Sequence, residues 1–240
     1  RSWRQDLRQG RGSVMGLEGG SGLRKEDHLE HSGLTTNMGD GQGRPVVEVM
    51  IPVYKPDQRF ARLLERLREQ TFPVSRILVV NTEEKYWKPE LVGKADNLEI
   101  HHIEKEHFDH GGTRNMGAGL LKGDILIFMT DDAVPKGRRL VERLVAALSQ
   151  KGPNGETMAM AYARQLPDQD CQAVERYTRS FNYPKEGCVK TRADLSRLGI
   201  KTYFASNVCC AYQREAFEKL GGFVSPAIFN EEMIFAAGAV

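Results

Sequence analysis

The sequence is short of the residues that staple or metallate a small fold. Its 240 residues include four cysteines, Cys171, Cys188, Cys209 and Cys210. No pair has the CxxC spacing of a zinc knuckle or a redox dithiol. Adjacent Cys209 and Cys210 are poor disulfide partners, so reduced thiols and a cytoplasmic setting are expected. No apolar stretch approaches the roughly 20 residues that a helix needs to cross a bilayer. No apolar segment of secretory type stands near the start. Neither sign of charge is in excess: the net charge is +2, and the 28% charged residues are well mixed. That excludes the basic stripe of a nucleic-acid binder, and no nucleic-acid partner is expected. A GxGxxG turn, a GxxxxGK[ST] loop and an HExxH helix are also missing, which argues against dinucleotide oxidoreductases, P-loop NTPases and zinc hydrolases. A nucleotidyltransferase would carry a Gly- and Arg-rich loop after its first strand, where this chain reads PVYKPDQ.

The chain does hold enough apolar residues, 40% of its composition, for one sizeable core. Residues 1–44 differ from the rest. They are Gly-, Arg- and Ser-rich without apolar period, and read as a disordered tail. Order is expected from 45 onward. PVVEVMIPVY (45–54) reads as a strand. PDQRFARLLERLREQ places Phe60, Leu63, Leu64 and Leu67 on one helical face. RILVVN (76–81) and NLEIHHIE (97–104) read as strands, GTRNMGAGLLKG as a short helix closed by Gly123, and DILIFMT as a fourth strand. RRLVERLVAALSQ is a further amphipathic helix. This alternation predicts an α/β fold with a parallel sheet covered on both faces. The second half is less regular, with strands expected at 157–164 and 201–213, helices at 171–181 and 214–220, and a last helical segment at 231–240. The chain does not begin with Met and stops inside that segment, so 45–240 is expected to be a domain truncated at its C-terminus.

The strongest chemical signal is KGDILIFMTDDAVP, where a buried strand runs into Asp131 and Asp132. Open α/β sheets bind ligands beyond the carboxyl ends of their strands. Neighbouring carboxylates repel unless a cation joins them, and Mg²⁺ is commonly held by one or two carboxylates plus substrate phosphates. A metal–diphosphate site and a solvated acidic turn both fit the dipeptide. HFDHGGTRNMG (107–117) leads into the preceding helix, where Gly111-Gly112 allows close backbone approach and the helix N-terminus and Arg114 suit an anion. His101, His102 and His107 have irregular spacing and no accompanying cysteines, so no zinc site is expected.

Several blocks, in order, resemble one family. They are VMIPVYKP, ILVVNTEEKYW, FDHGGTRNMGAGLLKGDILIFMTDDAVP, YARQLPDQDCQAVERYTRSFNYP, KTYFASNVCCAYQREAFEKLGGF and IFNEEMIFAA. Over residues 45–240 the chain resembles a bacterial rhamnosyltransferase-type family 2 glycosyltransferase. That resemblance implies a GT-A fold, an open mixed sheet with a Rossmann-like nucleotide-binding half and an acceptor-binding half. It implies inverting transfer of a sugar, with rhamnose favoured, from a nucleoside diphosphate donor such as dTDP-rhamnose. The acceptor would be a cell-surface glycan or lipid-linked precursor, and the enzyme would work at the inner face of the membrane by peripheral association. It implies Asp132 as the ligand of a divalent Mg²⁺ or Mn²⁺, with Asp131 beside it. Pro52 and Tyr54 would border the nucleotide. Asn81 and Glu83 stand where the family commonly has an Asp that holds the nucleobase. His110, Gly111, Arg114 and Asn115 form the donor loop. The general base falls on Glu232, with Glu231 as the alternative, in a place where the family usually has Glu-Asp. The run RYTRSFNYP serves either inter-half packing or sugar stacking. A rival expectation is a catalytically inactive GT-A fragment that binds nucleotide sugar or a partner protein.

Overall fold

The computed structural model describes residues 43–240, apart from 94 and 168–170, together with the backbone of Gly12–Leu17. The elements in chain order are β1 (Gly12–Leu17), β2 (Val47–Tyr54), α1 (Gln58–Arg68), β3 (Arg76–Thr82), β4 (Leu98–Ile103), α2 (His110–Leu120), β5 (Ile125–Met129) and α3 (Leu140–Leu148). They continue with β6 (Thr157–Ala163), α4 (Ala173–Asn182), β7 (Cys188–Lys190), α5 (Leu195–Leu198), β8 (Cys209–Gln213), α6 (Arg214–Lys219) and α7 (Glu231–Ala239). The strands form one sheet in the order β4-β3-β2-β5-β8-β6-β1-β7. Strands β2 to β5 are mutually parallel, while β8 runs antiparallel between β5 and β6.

Side chains alternate across β2. Val49, Ile51 and Val53 join a core with Phe60, Leu63, Leu64 and Leu67 of α1 and Val141, Leu144 and Leu148 of α3. Met50 faces the other way, into a core with Ala118 of α2, Phe217 of α6 and Phe235 of α7. A strand buried on both faces must be apolar at nearly every position, which is why β2, β3 and β5 read as continuous apolar runs. Asp57 caps α1 by accepting from the Arg59 N–H at 2.7 Å.

Three expectations need correction. Gly12–Leu17 lies in the stretch read as a disordered tail, yet it forms β1, parallel to β6 and antiparallel to β7. Two flanking strands supply its backbone with partners, so its composition does not decide. The rest of 1–42 lies outside the described residues. Only the end of 201–213 is strand. Gly199–Tyr203 is a 3₁₀ turn, and the Phe204 and Lys201 carbonyls accept from the buried Lys190 amine. A cation that deep must have its donors satisfied, and it draws these carbonyls away from any ladder. Helix α2 ends at Leu120, not at Gly123. A Cβ on Gly123 would stand 2.8 Å from the Val46 carbonyl oxygen, and the Gly123 N–H donates to buried Glu48 at 2.6 Å. The glycine is there for close approach to β2 rather than for a cap. Finally, β7 and α5 carry too short an apolar pattern to be read from sequence.

Candidate functional site

The order of the sheet reverses at β2, which has β3 on one side and β5 on the other. Such a switch point leaves a crevice beyond the strand ends. Tyr54 closes β2 with an exposed ring that meets Tyr86 edge-on at 5.7 Å, and Lys55 Nζ sits 4.5 Å from the Tyr86 ring centroid. Pro52 is half-buried two residues earlier. Asn81, at the end of β3, is fully buried. Its Nδ2 lies 3.0 Å from His102 Nδ1, while its Oδ1 and the hydroxyl of Thr82 have no hydrogen-bond partner. Buried acceptors without partners are uncommon, and these stand where a nucleobase edge is expected. Glu83 follows with φ 62° and an ion pair to Lys85 at 2.6 Å. The Lys85 ammonium and the Tyr54 hydroxyl hold its carboxyl below the ordinary value. Pro52, Tyr54, Asn81 and Glu83 therefore lie together at the carboxyl ends of β2 and β3.

Asp131 and Asp132 follow β5 across this crevice. Burial pushes the Asp131 carboxyl up, with Asp132 and Asp57 adding repulsion, while the Tyr54 backbone N–H opposes them. Asp132 is exposed and accepts from the Thr130 hydroxyl at 2.7 Å. No group of three or more His, Cys, Asp or Glu capable of holding a metal by itself occurs among the described residues. One restrained carboxylate and one exposed carboxylate, mutually repelling, suit a hard divalent cation that completes its shell with substrate phosphates.

The donor loop is built differently from the sequence expectation. Asp109 caps α2, accepting from the Gly112 N–H, from the Ala227 N–H at 2.6 Å and from the Ser225 hydroxyl at 2.9 Å. Burial works against its charge, but these donors outweigh it and hold the carboxyl below its ordinary value. A Cβ on Gly111 would stand 2.0 Å from the Val224 carbonyl oxygen. The glycine thus admits the 223–227 loop, not a ligand. Gly111→Ala is expected to cost about 1–3 kcal/mol in denaturant unfolding, because backbone must move. Gly119→Ala in the same helix meets open space and is expected to gain about 0.5–1 kcal/mol. Asn115 is a clamp: its Nδ2 donates to the Phe223 carbonyl and its Oδ1 accepts from the Phe223 N–H, each at 2.8 Å. The half-buried His110 ring packs against Phe108 at 5.0 Å. Arg114 is 4% exposed and pairs with Glu231 at 3.0 Å, so its fork is turned inward. Sequence reading missed Asp109. An Asp directly before a helix start was the available signal.

On the same face of the sheet as α2, α7 opens with Glu231 and Glu232. Glu231 is buried, and its Oε1 also accepts from Asn207 Nδ2 at 3.1 Å, so its carboxylate is committed to a buried network. Glu232 is only partly covered. Burial pushes its carboxyl up to about 7, helped by the Glu231 charge and opposed by Arg114. A carboxylate poised near neutral pH is what proton abstraction requires. The aromatic run divides. Tyr183 is buried and meets Phe204 edge-on at 5.5 Å, whereas Tyr177 and Phe181 are exposed and stack on each other at 6.1 Å.

The chain is similar to several known proteins. The O-antigen chain rhamnosyltransferase RfbN of Salmonella typhimurium is 34% identical over 192 residues, 80% of this chain and 60% of RfbN. WbaN of Salmonella anatum, also an O-antigen chain rhamnosyltransferase, is 31% identical over 195 residues, again 80% and 60%. The chain thus spans about 60% of the length of these curated relatives. Among solved structures, the mannosyltransferase PcManGT of Pyrobaculum calidifontis, in complex with GDP-Man and Mn²⁺, superposes with a TM-score of 0.54 at 19% identity, covering 79% of this chain and 50% of PcManGT. TarS 1–349 of S. aureus gives 0.55 at 19%, covering 81% and 55%. These likenesses show the GT-A fold. The model of glycosyl transferase family 2 matches residues 48–221, a span that runs from β2 through the acidic turn to the end of α6, and the chain belongs to that family.

Proposed function

We propose that this chain is a metal-dependent inverting glycosyltransferase that moves rhamnose from dTDP-rhamnose to a hydroxyl of a cell-surface glycan or its lipid-linked precursor. The observation that carries the reading is Glu232, a partly covered carboxyl raised to about 7 in a chain whose switch-point crevice holds an acidic pair. The curated relatives named as rhamnosyltransferases support the sugar. In the transfer, Glu232 takes the proton of the acceptor hydroxyl as that oxygen bonds to the anomeric carbon from the face opposite the diphosphate. The bond from the anomeric carbon to the diphosphate breaks, and the configuration inverts. Tyr54, Asn81 and Glu83 bind the nucleoside, with Pro52 bordering it. The α2 start at His110 lies beside the diphosphate. Asp132, steadied by Thr130, would hold Mg²⁺ or Mn²⁺ with Asp131 at its side. A divalent cation bound there would neutralise the charge that builds on the leaving diphosphate.

Work at the inner face of the membrane accords with a lipid-linked acceptor, and no helix among the described residues is long and apolar enough to cross a bilayer. The test is a titration of the chain with thymidine, uridine and guanosine diphosphates, with and without Mn²⁺ or Mg²⁺, beside Asp132→Ala. Metal-dependent binding of thymidine diphosphate, weakened at least tenfold in the variant, is the expected result. A folded chain that binds none of the three sinks the proposal. The turnover rate is further expected to climb as pH rises through about 7, because Glu232 acts only when ionised. A profile flat from 5.5 to 8.5 would exclude it as the base.

A further inference from the structure

Glu232 sits at the end of a buried chain of polar contacts. Its neighbour Glu231 is 3% exposed. Glu231 Oε1 lies 3.0 Å from Arg114 Nη1 and 3.1 Å from Asn207 Nδ2. Tyr212 donates its hydroxyl to Asn207 Oδ1 at 2.8 Å, and Arg114 Nη1 also donates to the His110 carbonyl at 2.9 Å. The contacts run from β8 through the first turn of α7 into α2. Burying two unit charges this deeply is costly, and apolar side chains of similar volume often hold two elements together as well or better. Packing alone therefore does not account for a carboxylate and a guanidinium here.

Local geometry supplies the reason. Asn230 precedes α7 in a left-handed conformation, with φ 66°, and makes no side-chain cap. The first turn of α7 is instead pinned through Glu231. Consecutive helical side chains diverge by about 100°, so fixing Glu231 inward fixes where Glu232 points. We infer that the buried Arg114–Glu231 pair orients Glu232 and sets its charge balance, with Arg114 a positioning residue for the base and not a ligand of the donor diphosphate. This rests on Glu232 being the base.

The titratable groups facing Glu232 from its surroundings are Glu231 on its own helix, Arg114 on α2, Cys210 and Tyr212 on β8, and Tyr183 after α4. Burial pushes Cys210, Tyr212 and Tyr183 up, so all three are neutral near pH 7. Glu231 and Arg114 are left as the opposing charges around it.

The experiment is a pH titration of the Glu232 side-chain carboxyl by ¹³C NMR in the full chain labelled at glutamate, with the resonance assigned by Glu232→Gln. Arg114→Met is expected to raise the Glu232 midpoint by about one unit, and Glu231→Gln to lower it by about one. Arg114→Lys, which keeps the charge, should leave it within about half a unit. A pair that merely packed would give a different pattern. Removing either member would loosen the site, admit water and drop the midpoint toward an ordinary carboxylate. A fall in Arg114→Met therefore overturns the inference, as does an unmoved midpoint in both single variants.

Arg114→Met leaves the Glu231 charge buried alone. If it does not fold, the neutral pair Arg114→Met/Glu231→Gln decides beside Glu231→Gln. Recovery to within about half a unit of the native midpoint upholds charge balance, and a further fall overturns it. Release of dTDP from dTDP-rhamnose, followed in the same series, separates the two readings. Full turnover in Glu232→Gln would remove Glu232 as the base, while the NMR midpoints judge the pair independently.

Discussion

Glu232→Gln is expected to slow sugar transfer by about a hundred- to ten-thousand-fold while leaving nucleotide affinity unchanged. The substitution keeps size and removes the one function a base needs, an ionisable oxygen. The effect should fall on kcat and kcat/KM together, because proton abstraction develops only in the transition state. Glu232→Asp, which restores the family's usual residue at this place, shortens the arm by one methylene and should retain more activity than Gln. Misplacement by about an ångström is enough to cost a large factor in a positioned reaction, so the Asp variant also measures how far the acceptor site has adapted to the longer side chain. Steady-state kinetics with dTDP-rhamnose decides, and a Gln variant within threefold of the native rate would remove Glu232 from the chemistry.

Glu231→Ala is expected to destabilise the fold by about 3–5 kcal/mol, read as a lower urea midpoint at unchanged slope. The loss leaves the Arg114 guanidinium, 5% exposed in its side chain, buried without its ion-pair partner. It also strips Asn207 of its acceptor, and with it the link to Tyr212. Glu231→Gln should cost much less, since its amide oxygen still accepts from both donors. A variant in which Arg114 and Glu231 are both replaced by apolar residues should cost less than the two single losses added together. Equal costs for Ala and Gln would show that the charge, not the hydrogen bonding, carries the whole effect.

The raised Glu232 carboxyl also makes stability depend on pH. Its folded value of about 7 exceeds the ordinary 4.5, so the folded chain keeps a proton that the unfolded chain releases between those values. That contribution to stability is complete below about 4.5 and is lost as pH rises through about 7. Activity and stability therefore respond to the same ionisation in opposite senses.

The parts of the molecule visible in the sequence are those governed by periodicity. The apolar runs of β2, β3 and β5 and the i, i+3, i+4 pattern of α1 are local, and burial on both faces of the sheet enforces them. The acidic turn after β5 was visible for the same reason: a strand that cannot be anything else ends at Met129, and the residues just beyond its carboxyl end are candidates for the crevice. What stayed hidden depends on partners distant in sequence. Arg114 reads as an anion ligand until its carboxylate, 117 positions later, is placed against it. Gly111 reads as a phosphate-loop glycine until the Val224 carbonyl is found filling its missing Cβ. Strand β1 was hidden because its partners β6 and β7 lie far along the chain.

The central position of β8 has a consequence for how the chain is made. Ile125 of β5 pairs with Gln213 and Met129 with Cys209, and β8 also pairs with β6. During synthesis from the N-terminus, the β2–β5 half of the sheet emerges with β5 as its open margin, and that margin stays unpaired until residues beyond 209 have left the ribosome. Both neighbours of β8 are apolar and close to completely buried in the finished sheet. Such exposed margins recruit strands from other chains. Nascent chains that stall between β6 and β8 are thus the species most exposed to aggregation and most in need of a chaperone, and the insertion of β8 is the event that ends the exposure.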